Sequence, residues 1–246
     1  MKKLYIRGMK KIITITFCCF CAALLVCSCG NGGKKGKAAA EAEKAAADSV
    51  AAAEKAQQTM DKIAKLPEEP VFDIITTDGV IKVKLYSKTP KHRENFAKLA
   101  FEGFYDNVLF HRVINGFMIQ AGDPLTKDEA NAAKFGTGGP DYTIPAEFVP
   151  EYTHKKGALA AARRGDAVNP YKESSGSQFY LVQDEYACSQ LNGDYTVFGE
   201  TVEGIDVIDK IASEKTGPRD RPKRDIRIIT IKLDEELNSG TPVVVE

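Results

Sequence analysis

The strongest constraint on the fold is a succession of short apolar runs, mostly bounded by glycine or Asn-Gly, that begins at Val71 and ends at Leu233. Val71–Thr76 and Val80–Leu85 flank Thr77-Asp78-Gly79, the chemistry of a tight hairpin. In the second run Ile81, Val83 and Leu85 alternate with Lys82 and Lys84, so one face is buried and the other wet. Similar runs lie at 108–113, 117–121, 157–162, 178–183 and 195–199, and Ile226–Leu233 is the last. Two stretches have helical spacing instead. Thr89-Pro90 supplies an N-cap and an N1 proline ahead of Phe96, Leu99 and Ala100, with Gly103 as the stop. Residues 204–213 place Ile205, Ile208 and Ala212 on one face. Many short strands and two helices predict a mainly β domain, a closed barrel or a sandwich.

Ahead of that domain the texture differs. Residues 38–66 carry Ala-rich blocks at 38–40, 45–47 and 51–53 with scattered Glu and Lys, all strong helix formers. Large apolar side chains are few (Val50, Met60, Ile63, Leu66), so there is no sustained heptad seam. Gly30–Gly36 reads as a flexible tether leading into a solvated helical spacer, 29–69 in all, ended by Pro67 and Pro70. The domain takes 70–234, and the tail 235–246 reads as loose.

The N-terminus reads as an address. Lys2, Lys3, Arg7, Lys10 and Lys11 precede an apolar run of 15 residues, Ile12–Val26, short of the roughly 20 that span a bilayer. Met9 is an alternative start. The run closes in Val26-Cys27-Ser28-Cys29-Gly30, which resembles a bacterial lipobox; 1–28 is then a lipoprotein signal peptide and Cys29 the lipidated residue. Several acyl chains on one Cys hold a protein stably at a membrane. Asn31 is not the Asp that retains many lipoproteins at the inner membrane. The expected location is the bacterial cell envelope, facing the periplasm, with the outer membrane favoured. Cys188 is the one thiol left over, so no internal disulfide is expected.

The 34 Lys+Arg balance 34 Asp+Glu over 246 residues, but five of the bases sit in the signal, leaving 29 against 34. A mildly acidic remainder argues against a nucleic-acid partner. His92, His111 and His154 form no metal-ligand spacing, so no metal is expected. Gly136-Thr137-Gly138-Gly139 lacks the Lys-Ser/Thr of a phosphate loop and reads as an ordinary loop. Ser175-Gly176-Ser177 is no nucleophile elbow. Asp184-Glu185 and the basic clusters at 154–156 and at Arg219, Arg221, Lys223 and Arg224 read as solvated surface.

The chemistry concentrates in Phe110-His111-Arg112-Val113-Ile114-Asn115-Gly116-Phe117-Met118-Ile119-Gln120-Ala121-Gly122-Asp123. If Ile114–Gly116 is a turn, Arg112 and Gln120 lie side by side on one surface. Met118 and Gln120 then share a face, with Phe117 on the other unless the strand bends. This stretch resembles the signature of the cyclophilin family of peptidyl-prolyl isomerases. Two further blocks match in order: Gly157–Arg163 with Ser175–Tyr180, and Leu191–Gly199. The resemblance covers about Val71 to Leu233. It implies a closed eight-stranded antiparallel barrel capped by two helices, and isomerisation of X–Pro bonds without a cofactor.

The resemblance also assigns roles. Arg112 would donate to the prolyl nitrogen and fix the substrate carbonyl, and Gln120 would orient Arg112 or bind substrate backbone. Phe117, Met118, Tyr180 and Leu191 would wall the proline pocket, while Ala162, Arg163 and Gln178 would line the groove for preceding residues. The chain departs from the family pattern in places. Tyr180 stands where Phe is common, and its hydroxyl needs a partner or solvent. Tyr195 replaces a common His in the substrate-binding set. Gln190 falls where cyclosporin-sensitive members carry Trp, which implies weak cyclosporin binding. Residues 164–174 form a longer loop than usual. The expectation is a monomeric enzyme acting on proline-containing unfolded or exported polypeptides. The alternative is a barrel used as an envelope chaperone or scaffold.

Overall fold

In the computed structural model, residues 32–239 are described. The signal peptide, Cys29 and Asn31 lie outside them, as do residues 240–246. The chain divides into two units between Val50 and Ala51. A long helix, α1 (Gly32–Ile63), starts inside the segment expected as a tether. Residues 44–58 are exposed, as the scarcity of large apolar side chains requires. In the last turns Thr59 is buried, Ile63 packs on the domain core, and Lys62 sits over the Phe101 ring.

The first hairpin forms as its alternation predicts. β1 (Val71–Thr76) pairs with β2 (Gly79–Leu85), setting Phe72 opposite Val83 and Ile74 opposite Ile81, all fully buried. Gly79 has φ +147, and a Cβ there would lie 2.7 Å from Val207; only glycine serves at this contact. Seven more strands follow: β3 (Arg112–Ile114), β4 (Met118–Ala121), β5 (Thr143–Ile144), β6 (Ala158–Arg163), β7 (Ser174–Val182), β8 (Val197–Glu203) and β9 (Ile228–Leu233). All pairs are antiparallel. Among the described residues eight strands follow the path β3-β4-β7-β6-β8-β2-β1-β9, with the two-residue β5 attached to β7.

The result is a mainly β, curled antiparallel sheet. The path has two ends, and the expected closure is carried by one isolated bridge, Leu109 with Arg227, between the segments ahead of β3 and β9. The Asn107 N–H donates to the Ile228 carbonyl, and the Phe110 N–H to that of Ile226.

Two main helices cover the apolar interior. In α2 (Pro90–Phe101) Phe96, Leu99 and Ala100 are buried as expected. Its cap is not. Thr89 makes no side-chain cap; its hydroxyl donates to the Tyr86 carbonyl. Instead the Glu147 carboxylate accepts from the Lys91 and His92 N–H groups at 3.1 and 3.0 Å and meets His92 Nδ1 at 2.7 Å. A carboxylate is well suited to the unsatisfied, positively polarised donors of a helix start. A four-residue helix, α3 (Glu185–Cys188), is capped by Asp184, so that carboxylate is not merely solvated. The second main helix, α4 (Ile205–Ala212), buries Val207, Ile208, Ile211 and Ala212. The tail is not loose at its start. A short helix, α5 (Glu235–Asn238), ends on Asn238, whose amide donates to the Val71 carbonyl and accepts from the Val71 N–H. It completes the backbone bonding at the end of β1.

Candidate functional site

The site starts from a strand period of two. On β4, β6 and β7 the residues Ile119, Ala121, Leu159, Ala161, Phe179 and Leu181 point into the main core. Their neighbours in sequence therefore point outward. The register sets Arg112 opposite Gln120, Gln120 opposite Tyr180, and Tyr180 opposite Ala160. One row of side chains thus crosses β3, β4, β7 and β6 on the outer face. A second apolar cluster, separate from the core, gathers on that face. It contains Met118, Tyr180 and Cys188, with Phe117, Leu191, Tyr195 and Ala162 partly buried against it.

Phe117 joins this cluster although strict alternation puts it on the other face. β4 begins only at Met118; Phe117 belongs to the turn, its N–H donating to the Ile114 carbonyl. The turn is pinned from outside. Phe117's carbonyl accepts from the Gln183 and Asp184 N–H groups, and Gln183 Oε1 accepts from the Gly116 N–H.

A chain of amides orients Gln120. Gln178 Nε2 donates to the carbonyls of Gly136 and Gly138 at 3.1 and 2.7 Å. Gln178 Oε1 is thereby left to accept from Gln120 Nε2 at 3.0 Å, and Gln120 Oε1 faces Arg112 Nη1 at 3.5 Å. The Gly136–Gly139 loop, which read as an ordinary loop, is the scaffold of this chain. It is built around Asp123, fully buried, whose Oδ2 accepts from the Gly136 and Gly138 N–H groups and whose Oδ1 accepts from the Leu125 N–H.

Arg112 has a second neighbour that the sequence did not reveal. Asp220 Oδ2 lies 3.5 Å from its Nε. Both groups are substantially exposed, so the pair orients more than it stabilises. Arg112 Nη2 has no partner among the described residues. The surrounding basic cluster is not free surface. Arg219 donates to the Ala132 and Ala133 carbonyls, Arg221 pairs with Glu129, and Arg224 with Asp78 and Glu214.

Beside the apolar cluster runs a groove of about 820 Å³. Gln120, Ala162, Arg163 and Gln178 line it, and the long loop contributes Arg164, Val168 and Asn169. Arg163 also serves as a brace. Its guanidinium stacks 4.3 Å over the Tyr195 ring, donates to the Asp194 carbonyl at 2.8 Å and pairs with Asp166.

Burial sets the titration of the enclosed groups. It raises the Tyr180 phenol well above its ordinary value and pushes the Cys188 thiol up to about 12, which disfavours the thiolate of this buried side chain. It lowers both His154 and His111, the latter to about 4. Among the described residues no cluster of three or more His, Cys, Asp or Glu is placed to hold a metal ion.

Comparison with known proteins finds relatives of one family. The family model described as "Cyclophilin type peptidyl-prolyl cis-trans isomerase/CLD" matches residues 71–233. The Rhizopus delemar protein named peptidyl-prolyl cis-trans isomerase-like 2 is 37% identical over 176 residues, covering 69% of this chain and 30% of that protein. The Arabidopsis thaliana peptidyl-prolyl cis-trans isomerase CYP18-1 is 36% identical over 160 residues, 64% of this chain and 92% of that one. The chain thus spans less than a third of the first relative and nearly all of the second. A solved Cryptosporidium parvum cyclophilin-type peptidyl-prolyl cis-trans isomerase is similar with a TM-score of 0.60 and 29% identity, covering 71% of this chain and 99% of that one. The same protein solved in the presence of the dipeptide Ala-Pro gives 0.58 and 30%, over 67% and 98%. With the family model matched over residues 71–233 and the fold shared with solved members, this chain belongs to the cyclophilin-type peptidyl-prolyl cis-trans isomerases.

Proposed function

We propose that this isomerase acts on X–Pro bonds in unfolded or newly exported polypeptides at a bacterial envelope, with Arg112 as the catalytic donor. The uncatalysed reaction is slow because twisting the amide costs about 20 kcal/mol of resonance. No bond is made or broken. The twisted nitrogen is pyramidal and basic, and the charge separation along C=O and N shrinks. An apolar wall therefore favours the twisted form over the planar one. Phe117, Met118, Tyr180 and Leu191 supply that wall. A guanidinium at its edge donates to the nitrogen, and its planar fork holds the substrate carbonyl at the same time.

The row Arg112–Gln120–Tyr180 carries the reading, because it sets the Arg112 guanidinium, whose Nη2 has no partner among the described residues, beside the apolar cluster on that face. The Ala-Pro dipeptide of the Cryptosporidium parvum structure supports proline-containing peptides as substrates, with preceding residues in the groove. A hydrogen bond to a charged group contributes roughly 1.5–3 kcal/mol. Arg112→Ala in the full chain should therefore lower kcat/KM on an X–Pro peptide by roughly ten- to a hundredfold, with melting unchanged. A fully active Arg112→Ala protein would refute the assignment. The envelope reading adds a monomer anchored through lipid on Cys29, periplasm-facing, with the outer membrane favoured. Cells fed labelled palmitate should label the wild type and not Cys29→Ala; label on both, or on neither, removes the anchor.

A further inference from the structure

The family position held by Tyr180 is commonly Phe, so this chain adds a hydroxyl to the wall of the proposed proline pocket and buries it. A buried hydroxyl without a partner costs about 1–3 kcal/mol. Here it has one. Tyr180 Oη lies 2.8 Å from Nε2 of His154, itself buried, and the two rings are parallel within 11°. The other ring nitrogen, Nδ1, lies 2.7 Å from Asn192 Oδ1.

The direction of these bonds follows from one fixed donor. The His154 backbone N–H donates to the same Asn192 atom at 2.8 Å. A backbone N–H meets an acceptor only, so that atom is the amide oxygen. His154 Nδ1 must then carry the proton, and in a neutral imidazole Nε2 is left as the acceptor. Burial keeps the ring neutral by lowering its pKa. Tyr180 O–H therefore donates to His154 Nε2, and His154 Nδ1–H donates to Asn192 Oδ1.

This relay joins three separate pieces of chain. Tyr180 is on β7, His154 is in the segment before β6, and Asn192 follows Leu191 directly. The Asp194 and Tyr195 N–H groups both donate to the Leu191 carbonyl, so Leu191 and Tyr195 move with the Asn192 turn. The Tyr195 ring in turn meets Tyr180 edge-on at 6.1 Å.

We propose that His154 and Asn192 are positioning residues for the isomerase. Through the Tyr180 hydroxyl they fix the spacing of two walls of the proline pocket, Tyr180 and Leu191, and of Tyr195 beside them. The proposal rests on the catalytic reading above. Displacing a pocket wall weakens binding of the prolyl ring in ground and transition states alike, so the loss falls on KM.

The test uses the full chain and an X–Pro peptide, with kcat and KM measured separately for Tyr180→Phe, His154→Leu and the double variant. His154→Leu strands the hydroxyl and lowers melting, whereas the double variant removes both partners and melts near the wild type. The expected result is a KM raised about tenfold in both single variants and still raised in the double, with kcat little changed. A double variant with restored melting and wild-type KM would reduce the relay to a stabilising contact and overturn the proposal. So would a Tyr180→Phe protein with wild-type KM, a measurement that stands even if His154→Leu fails to fold. Nitrogen-15 spectra give an independent reading: His154 must be the Nδ1-protonated tautomer, and the Nε2-protonated form would overturn the relay. Failure of the catalytic reading shows separately, as an Arg112→Ala protein as fast as the wild type.

Discussion

His111 makes the domain sensitive to acid in a way that can be calculated. The ring is buried beside Arg112 and against Gly136, and neither nitrogen reaches a hydrogen-bond partner among the described residues. Burial pushes its pKa from 6.5 down to about 4; the charge of Asp123 and the Leu109 backbone oppose this but are weaker, and Arg112 reinforces it. The folded protein then binds fewer protons than the unfolded chain between those limits, so acid favours unfolding. The stability tied to the neutral ring is fully present above pH 6.5. It is lost as pH falls from 6.5 to 4 and falls no further below that. Each unit is worth 1.36 kcal/mol, so the full loss is about 3 kcal/mol, of which about 2 kcal/mol is gone by pH 5. Carboxylates such as Glu147 and Asp78, whose pKa values are lowered, also favour acid unfolding, so the absolute curve is not diagnostic. The diagnostic quantity is a difference. Urea unfolding at pH 7.5 and pH 5 should show a pH dependence about 2 kcal/mol shallower in His111→Leu than in the wild type. Equal slopes in the two proteins, or a His111 resonance titrating near 6.5, would refute the reasoning.

Other substitutions probe the scaffold. A Cβ on Gly138 would fall 2.2 Å from buried Asp123 Oδ1, so Gly138→Ala should cost about 1–3 kcal/mol in urea unfolding and loosen the Gly138–Gln178–Gln120 chain, visible as lower kcat/KM. Glu147→Ala removes the acceptor of two N–H groups at the start of α2 and of His92; a loss of about 2 kcal/mol is expected, with isomerase activity of the folded protein retained. Gln190 is exposed, its amide turned back on the Ala187 carbonyl, and presents no indole. Cyclosporin should therefore bind weakly; sub-micromolar inhibition of peptide isomerisation would contradict this.

What was legible from sequence was local or periodic. The β3–β4 hairpin brings Arg112 and Gln120 together because they are eight residues apart across a short turn, a relation that register alone decides. The outward placement of Met118, Gln120 and Tyr180 follows from the same period. Phe117 broke the rule because the strand begins one residue later than the pattern suggested. Glu147 caps a helix 55 residues away, and Asp220 approaches Arg112 across the fold; no local pattern announces either. Closure of the sheet is not legible locally either, since the seam between β3 and β9 is made by the segments ahead of them, through the Leu109–Arg227 bridge and the backbone bonds of Asn107 and Phe110 to Ile228 and Ile226.

Tyr180 marks the boundary between the two kinds of information. From sequence alone its hydroxyl was an unpaid debt: a polar atom on a residue whose position demanded burial. That the debt must be met was legible; which group meets it was not, because His154 and Asn192 are 26 and 38 residues removed from their partners. The same reasoning applies to Asp123, a buried carboxylate that the signature includes without a role and that the Gly136–Gly138 backbone satisfies. Both cases turn on the rule that a buried polar atom must be bonded. In both, the bonding partner holds a residue of the site in place: Gln178 through the glycine loop, and the pocket wall through His154. A departure from a family pattern that adds a polar atom to a buried wall is therefore a pointer to the residues that position that wall.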